Sequence, residues 1–123
     1  MKGLVKGINQ KAQENTFFRQ VLETGKNTQI VVMSIPSEGE IGEEVHSDND
    51  QILYFMAGEG EVILEGETTA IGAGDVVLVH AGTKHNFKNT GSEDLKIITT
   101  YSPPHHPDGT IHKTKEEADH AGY

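Results

Sequence analysis

The sequence predicts an all-β domain, a sandwich or barrel of short strands, and three observations carry that prediction. Runs rich in β-branched and aromatic residues recur every eight to ten residues or so through the middle of the chain. The 14 glycines are scattered between those runs, which calls for many tight turns and therefore short strands. At 123 residues the chain has room for one hydrophobic core and no second domain.

Taken in order, residues 1–15 are polar and weakly patterned and form an N-terminal segment. The β domain follows over residues 16–101. Its candidate strands are 17–23, 29–35, 51–56, 61–64, 68–71, 75–79, 85–88 and 95–101. Glycine-containing turns separate them, among them Ala57-Gly58-Glu59-Gly60, Gly72-Ala73-Gly74 and Asn89-Thr90-Gly91, where glycine takes positive φ without steric cost. Residues 102–123 form a C-terminal arm rich in Pro, His and charge, and residues 115–120 are the one stretch expected to form a short helix.

Composition removes several function classes. With 34% hydrophobic residues the chain is globular, and a mean hydropathy of -0.48 implies a modest core. The absence of cysteine excludes disulfides and thiolate metal sites. A formal charge of -9 with Arg19 as the only arginine is the wrong electrostatics for a nucleic-acid surface. It also argues against a pocket that grips phosphate bidentately, although Lys84 or Arg19 can supply a point charge. The N-terminus lacks the apolar run of a signal peptide and no stretch is long enough to span a bilayer, so the expectation is a soluble, cytoplasmic protein without a membrane partner.

Strand alternation picks out a polar constellation. Glu44 and His46 point the same way if their segment is extended. Gln51 shares a face with Leu53 and Phe55, and His85 shares one with Phe87, so each is a polar group at an inward position. Such groups are costly unless satisfied, and one shared metal ion satisfies several at once. Taken singly, either histidine reads more naturally as a hydrogen-bonded or half-exposed side chain.

The spacing changes that balance. Gly74 is followed by five residues to His80, then by Gly82, His85 and Asn89. Upstream, Gly39, Glu44, His46, Gln51 and Gly58 form a second series. Together these resemble the two motifs of the cupin superfamily. In the later motif His80 replaces a proline; in the earlier one Glu44 stands at the first histidine position, Gln51 at the glutamate position, and the leading glycine is offset by one. The resemblance implies a single cupin double-stranded β-helix, a jelly-roll barrel like that of stand-alone cupins named for mannose-6-phosphate isomerase. It also implies a metal site whose ligands become Glu44, His46, Gln51 and His85. Two imidazoles and one carboxylate with open positions suit non-haem iron(II), and Fe, Mn, Ni, Co and Zn all fit the nitrogen and oxygen donors.

Two functions follow as expectations. One is a metal-dependent enzyme acting on a small polar molecule, dioxygenase-like or an isomerase or decarboxylase; the other is a barrel that senses or stores a ligand around a structural metal. A metal-free carbohydrate-binding barrel ranks last, since the chain has no Trp and three Tyr. The arm carries His105, His106, His112 and His120, and if it folds over the barrel mouth, His106 or His112 can serve as acid or base. His80 is expected to be structural and Lys84 to be a rim charge. Ile52, Tyr54 and Met56 lie opposite Gln51 yet are apolar, so both faces of their strand should be covered, and a homodimer is expected.

Overall fold

The computed structural model describes residues 1–122 and has the element order α1 (Ile8–Glu14), β1 (Arg19–Thr24), β2 (Gln29–Ile35), β3 (Asp50–Ala57), β4 (Glu59–Leu64), β5 (Glu67–Gly72), β6 (Val76–Val79), β7 (His85–Asn89), β8 (Leu95–Ser102), β9 (Ile111–His112) and α2 (Lys115–Ala121). Each expected strand is present, with ends displaced by at most two residues. Six strands form one antiparallel sheet in the order β6-β3-β8-β2-β1-β9, and three form another in the order β5-β4-β7. Among the described residues no helix is long and apolar enough to cross a membrane.

The core lies between the two sheets. Leu53, Phe55, Val31, Met33, Ile97 and Leu95 from the larger sheet close on Val62 and Phe87 from the smaller. The Phe55 and Phe87 rings, 5.7 Å apart and tilted, carry that contact across the layer. On β3 the alternation is strict: Gln51, Leu53 and Phe55 are buried while Ile52 and Tyr54 face outward. Among the described residues nothing covers that outer face: Ile52 and Tyr54 pair with Leu78 and Val76 on edge strand β6, and all four side chains are exposed.

Two elements differ from the sequence reading. The N-terminal segment contains helix α1, of which only Ala12 is buried, so it carries no apolar stripe by which a helix is recognised. It is fastened instead by Lys96, buried on β8, whose ammonium donates to Asn15 O at 2.6 Å and to Ser34 Oγ at 3.1 Å. The arm also adds an unexpected strand, β9, to the edge of β1, before the expected short helix, α2. Thr114 caps α2, its Oγ1 accepting from Glu117 N at 3.1 Å.

The turn between β7 and β8 is held by Asn89, a residue of the later motif. Its amide donates to Ile35 O at 2.9 Å and to Glu93 O at 2.8 Å, and its carbonyl oxygen accepts from Gly91 N at 2.9 Å. The motif glycines Gly74 and Gly82 have φ of 93° and 86°, a region in which a side chain is strained.

Gln29 ties the arm across one end of the barrel. Fully buried, it accepts from His105 N at 3.2 Å and His106 N at 3.1 Å and donates to His106 O at 2.7 Å. His106 is thereby packed edge-on against Tyr101, with ring centroids 4.9 Å apart. Burial, reinforced by the positive charge of Arg19, pushes its pKa down to about 2.

Two outcomes follow. Asn89→Ala leaves the Ile35 carbonyl without its buried donor and should cost about 1–3 kcal/mol in denaturant unfolding. Because the unfolded His106 takes up a proton near its ordinary 6.5 and the folded one does not until about 2, its contribution to stability is intact above pH 6.5 and lost below it. The loss is about 1.4 kcal/mol per pH unit. A His106 imidazole that titrates between pH 5 and 8 in the folded protein by NMR contradicts this.

Candidate metal centre

Residues 40–46 run beside β7 and touch it through two isolated bridges, Glu40 to Lys88 and Glu44 to His85. At the second bridge Glu44 N donates to His85 O and His85 N to Glu44 O, both at 2.9 Å. The backbone between Glu44 and His46 is extended, so Val45 is exposed while its two neighbours turn inward, as strand parity requires. His46 is pinned in turn by Gly82 N, which donates to its carbonyl at 2.8 Å.

One ligand atom from each of Glu44, His46 and His85 lies within 4.8 Å of the other two. The His46 and His85 rings are 5.2 Å apart. His85 Nδ1 lies 2.9 Å from Thr83 O, and since a carbonyl only accepts, Nδ1 holds the proton and Nε2 keeps its lone pair. His46 Nε2 is 2.9 Å from Glu44 Oε2, yet the approach lacks the alignment of a hydrogen bond, and Nε2 is a buried atom without a hydrogen-bond partner. Two donors that close without pointing at one another are what a shared cation requires, since neighbouring ligands of an octahedral ion stand about 3 Å apart. The donor set fits a divalent transition ion.

Electrostatics agree. Burial acts to raise the Glu44 carboxyl, but His46, by contact and charge, with Arg19 and His85, outweighs it and holds the pKa below its ordinary value. Burial and the charge of His46 push His85 down. A carboxylate kept ionised beside an imidazole kept neutral is the protonation state a metal ligand needs.

Gln51 is buried at the inward position expected of it. Its Nε2 donates to Thr99 Oγ1 at 3.0 Å. His80 is exposed and takes part in a turn through its backbone, its carbonyl accepting from Thr83 N at 3.1 Å. Lys84 is an exposed rim residue 3.6 Å from Glu43.

The arm does reach the mouth, with a different histidine in front. Glu44, His46, His105 and Arg19 line one cavity of about 340 Å³. The His105 ring is 4.5 Å from that of His46 and stacks on Tyr101 at 5.5 Å. His106 and His112 are not among the residues lining this cavity: His106 packs beside Tyr101, and His112 Nδ1 accepts from Arg19 Nη1 at 3.1 Å. Arg19, set inward on β1 beside Val21 on the same face, was legible in the sequence as a point charge but not as part of this site. A larger concavity of about 600 Å³, bordered by Gln13, Glu59 and Glu93, holds no histidine and no such cluster.

The chain matches the Cupin domain family over residues 31–101. It is 37% identical over 123 residues to the uncharacterized protein YrkC of Bacillus subtilis (strain 168), covering 95% of this chain and 66% of that one. The crystal structure of BH2720 from Bacillus halodurans superposes with a TM-score of 0.95 at 35% identity, covering 97% of this chain and 95% of that one. A predicted oxalate decarboxylase from Thermotoga maritima superposes with a TM-score of 0.61 at 29% identity, covering 64% and 69%. The family match over more than half of the chain and the close superposition together show that the chain belongs to the cupin family.

Proposed function

We propose that the protein is a metal-dependent enzyme acting on a small polar molecule, with one divalent transition ion held by Glu44, His46 and His85 and by the carbonyl oxygen of Gln51. The observation that carries this reading is the buried Nε2 of His46, which makes no aligned hydrogen bond yet lies 2.9 Å from Glu44 Oε2, within a cluster whose donor atoms lie within 4.8 Å of one another. When bound, such an ion polarises substrate oxygens as a Lewis acid or supports oxygen chemistry, and the carboxylate-bis-imidazole set suits iron(II) as well as Mn, Co, Ni and Zn. Three or four protein donors leave open positions on an ion that prefers six, which favours catalysis over a purely structural role.

The chain's own residues do the remaining work. Thr83 O holds the His85 tautomer. His105, half-buried at the mouth and held neutral by burial and by His46, is placed to accept a proton from a bound molecule, the part first assigned to His106 or His112. A ligand-sensing barrel with a structural metal is the second reading; it predicts an ion closed off from exchangeable water.

We further propose that two copies pair through the outer face of β3 and β6. Ile52, Tyr54, Val76 and Leu78 form two exposed apolar cross-strand pairs beside the open edge of the larger sheet.

Elemental analysis of protein purified without nickel resin should give about one transition ion per chain. Glu44→Ala, His46→Ala and His85→Ala should each lower that occupancy by about tenfold or more at matched metal concentration, whereas His80→Ala should not. Unchanged metal content in His46→Ala or His85→Ala refutes the site. Light scattering should give twice 13.4 kDa for the wild type and a monomer for Ile52→Glu with Leu78→Glu; a wild-type monomer at micromolar concentration sinks the pairing.

A further inference from the structure

Arg19 is the only arginine of the chain and is 4% exposed. Its inward position follows from β1 parity, since Val21 on the same face belongs to the core. A buried guanidinium is costly unless a carboxylate compensates it. Among the described residues the ion pairs are His46–Glu44, Lys84–Glu43, Lys96–Asp94 and Lys115–Asp119, and Arg19 takes part in none. Its close contacts are with neutral groups: Nη1 donates to His112 Nδ1 at 3.1 Å and Cζ lies 5.2 Å from the centroid of the Phe18 ring, while the Glu44 carboxylate feels its charge without forming an ion pair with it. Nε–H is a buried donor with no hydrogen-bond partner. This same residue lines the cavity that contains Glu44, His46 and His105.

We propose that Arg19 is the anion-binding residue of that cavity and that the molecule bound there is a small organic carboxylate, its carboxylate on Arg19 and its remaining oxygens toward Glu44, His46 and His85. The inference deepens the metal-enzyme reading and rests on it for the second half of that statement. A carboxylate matches the site in charge and shape. The planar fork of one guanidinium takes two oxygens side by side, and the carboxylates of Glu44 and Asp119 on the same cavity oppose a second negative charge such as that of a phosphate dianion. A cavity of about 340 Å³ admits a molecule of a few carbons.

With one arginine in the chain, the ¹⁵N spectrum of the full protein contains a single arginine Nε–H signal, which reports on Arg19 without any substitution. Acetate, malonate and pyruvate, added to the metal-free and the zinc-loaded protein, should shift that signal saturably; glucose should not, and inorganic phosphate should bind about tenfold more weakly or worse. Arg19→Gln should weaken carboxylate binding by about tenfold or more in calorimetry while zinc stoichiometry stays unchanged, and Arg19→Lys should fall between. If Arg19→Gln does not fold, the wild-type signal decides. A signal unmoved by every carboxylate, tighter binding of phosphate, or wild-type affinity in Arg19→Gln overturns the proposal. Zinc that fails to bind while the signal still moves overturns the metal reading alone.

Discussion

The mutual approach of Glu44, His46 and His85 is set by main chain before any side chain takes part. The two hydrogen bonds that Glu44 and His85 exchange, each 2.9 Å, clamp an otherwise unpaired segment to the end of β7, and Gly82 N holds His46 from the other side. Gly82 can sit there because it adopts a φ of 86°, so a motif glycine helps to position the cluster. Shift that bridge by one residue and parity would turn Glu44 and His46 to solvent and bring Glu43 and Val45 inward. The cavity, the depressed carboxyl pKa and the donor cluster all follow from this pairing.

The barrel interior is graded from apolar to polar along its length. Phe55, Phe87, Leu95 and Ile97 fill one part. At the other, Gln51, Tyr101 and Gln29 stand opposite one another across β3, β8 and β2, and all three are buried. The amides can be buried there because they are hydrogen-bonded: Gln51 to Thr99, Gln29 to the backbone of His105 and His106. The low dielectric of the apolar part and the fixed dipoles of the polar part meet at the cluster, which is why ionisable groups there depart from their ordinary pKa values.

The arm closes this polar end and is part of the site. Gln29 fixes its course, β9 adds it to the sheet, and α2 supplies a wall of the cavity through Ala118 and Asp119. Because His105 arrives by this route, the same contacts that stabilise the arm also hold an imidazole 4.5 Å from His46. Function and stability share residues here, so substitutions at Gln29 would disturb both.

The fold class, the strands and the four inward polar positions Glu44, His46, Gln51 and His85 were legible in the sequence, since period-two alternation and glycine turns are local properties of a strand. The identity of the neighbours was not. That Glu44 pairs with His85 and that Gln29 catches the arm are contacts between residues distant in the chain, and no local pattern encodes them. Helix α1 escaped notice because one buried alanine makes no stripe, and β9 because two residues make no period. That His105 and Arg19 line the cavity while His106 does not became visible only with tertiary structure. Burial and direction of an isolated polar side chain depend on what folds over it, whereas its face on a strand depends only on its own backbone.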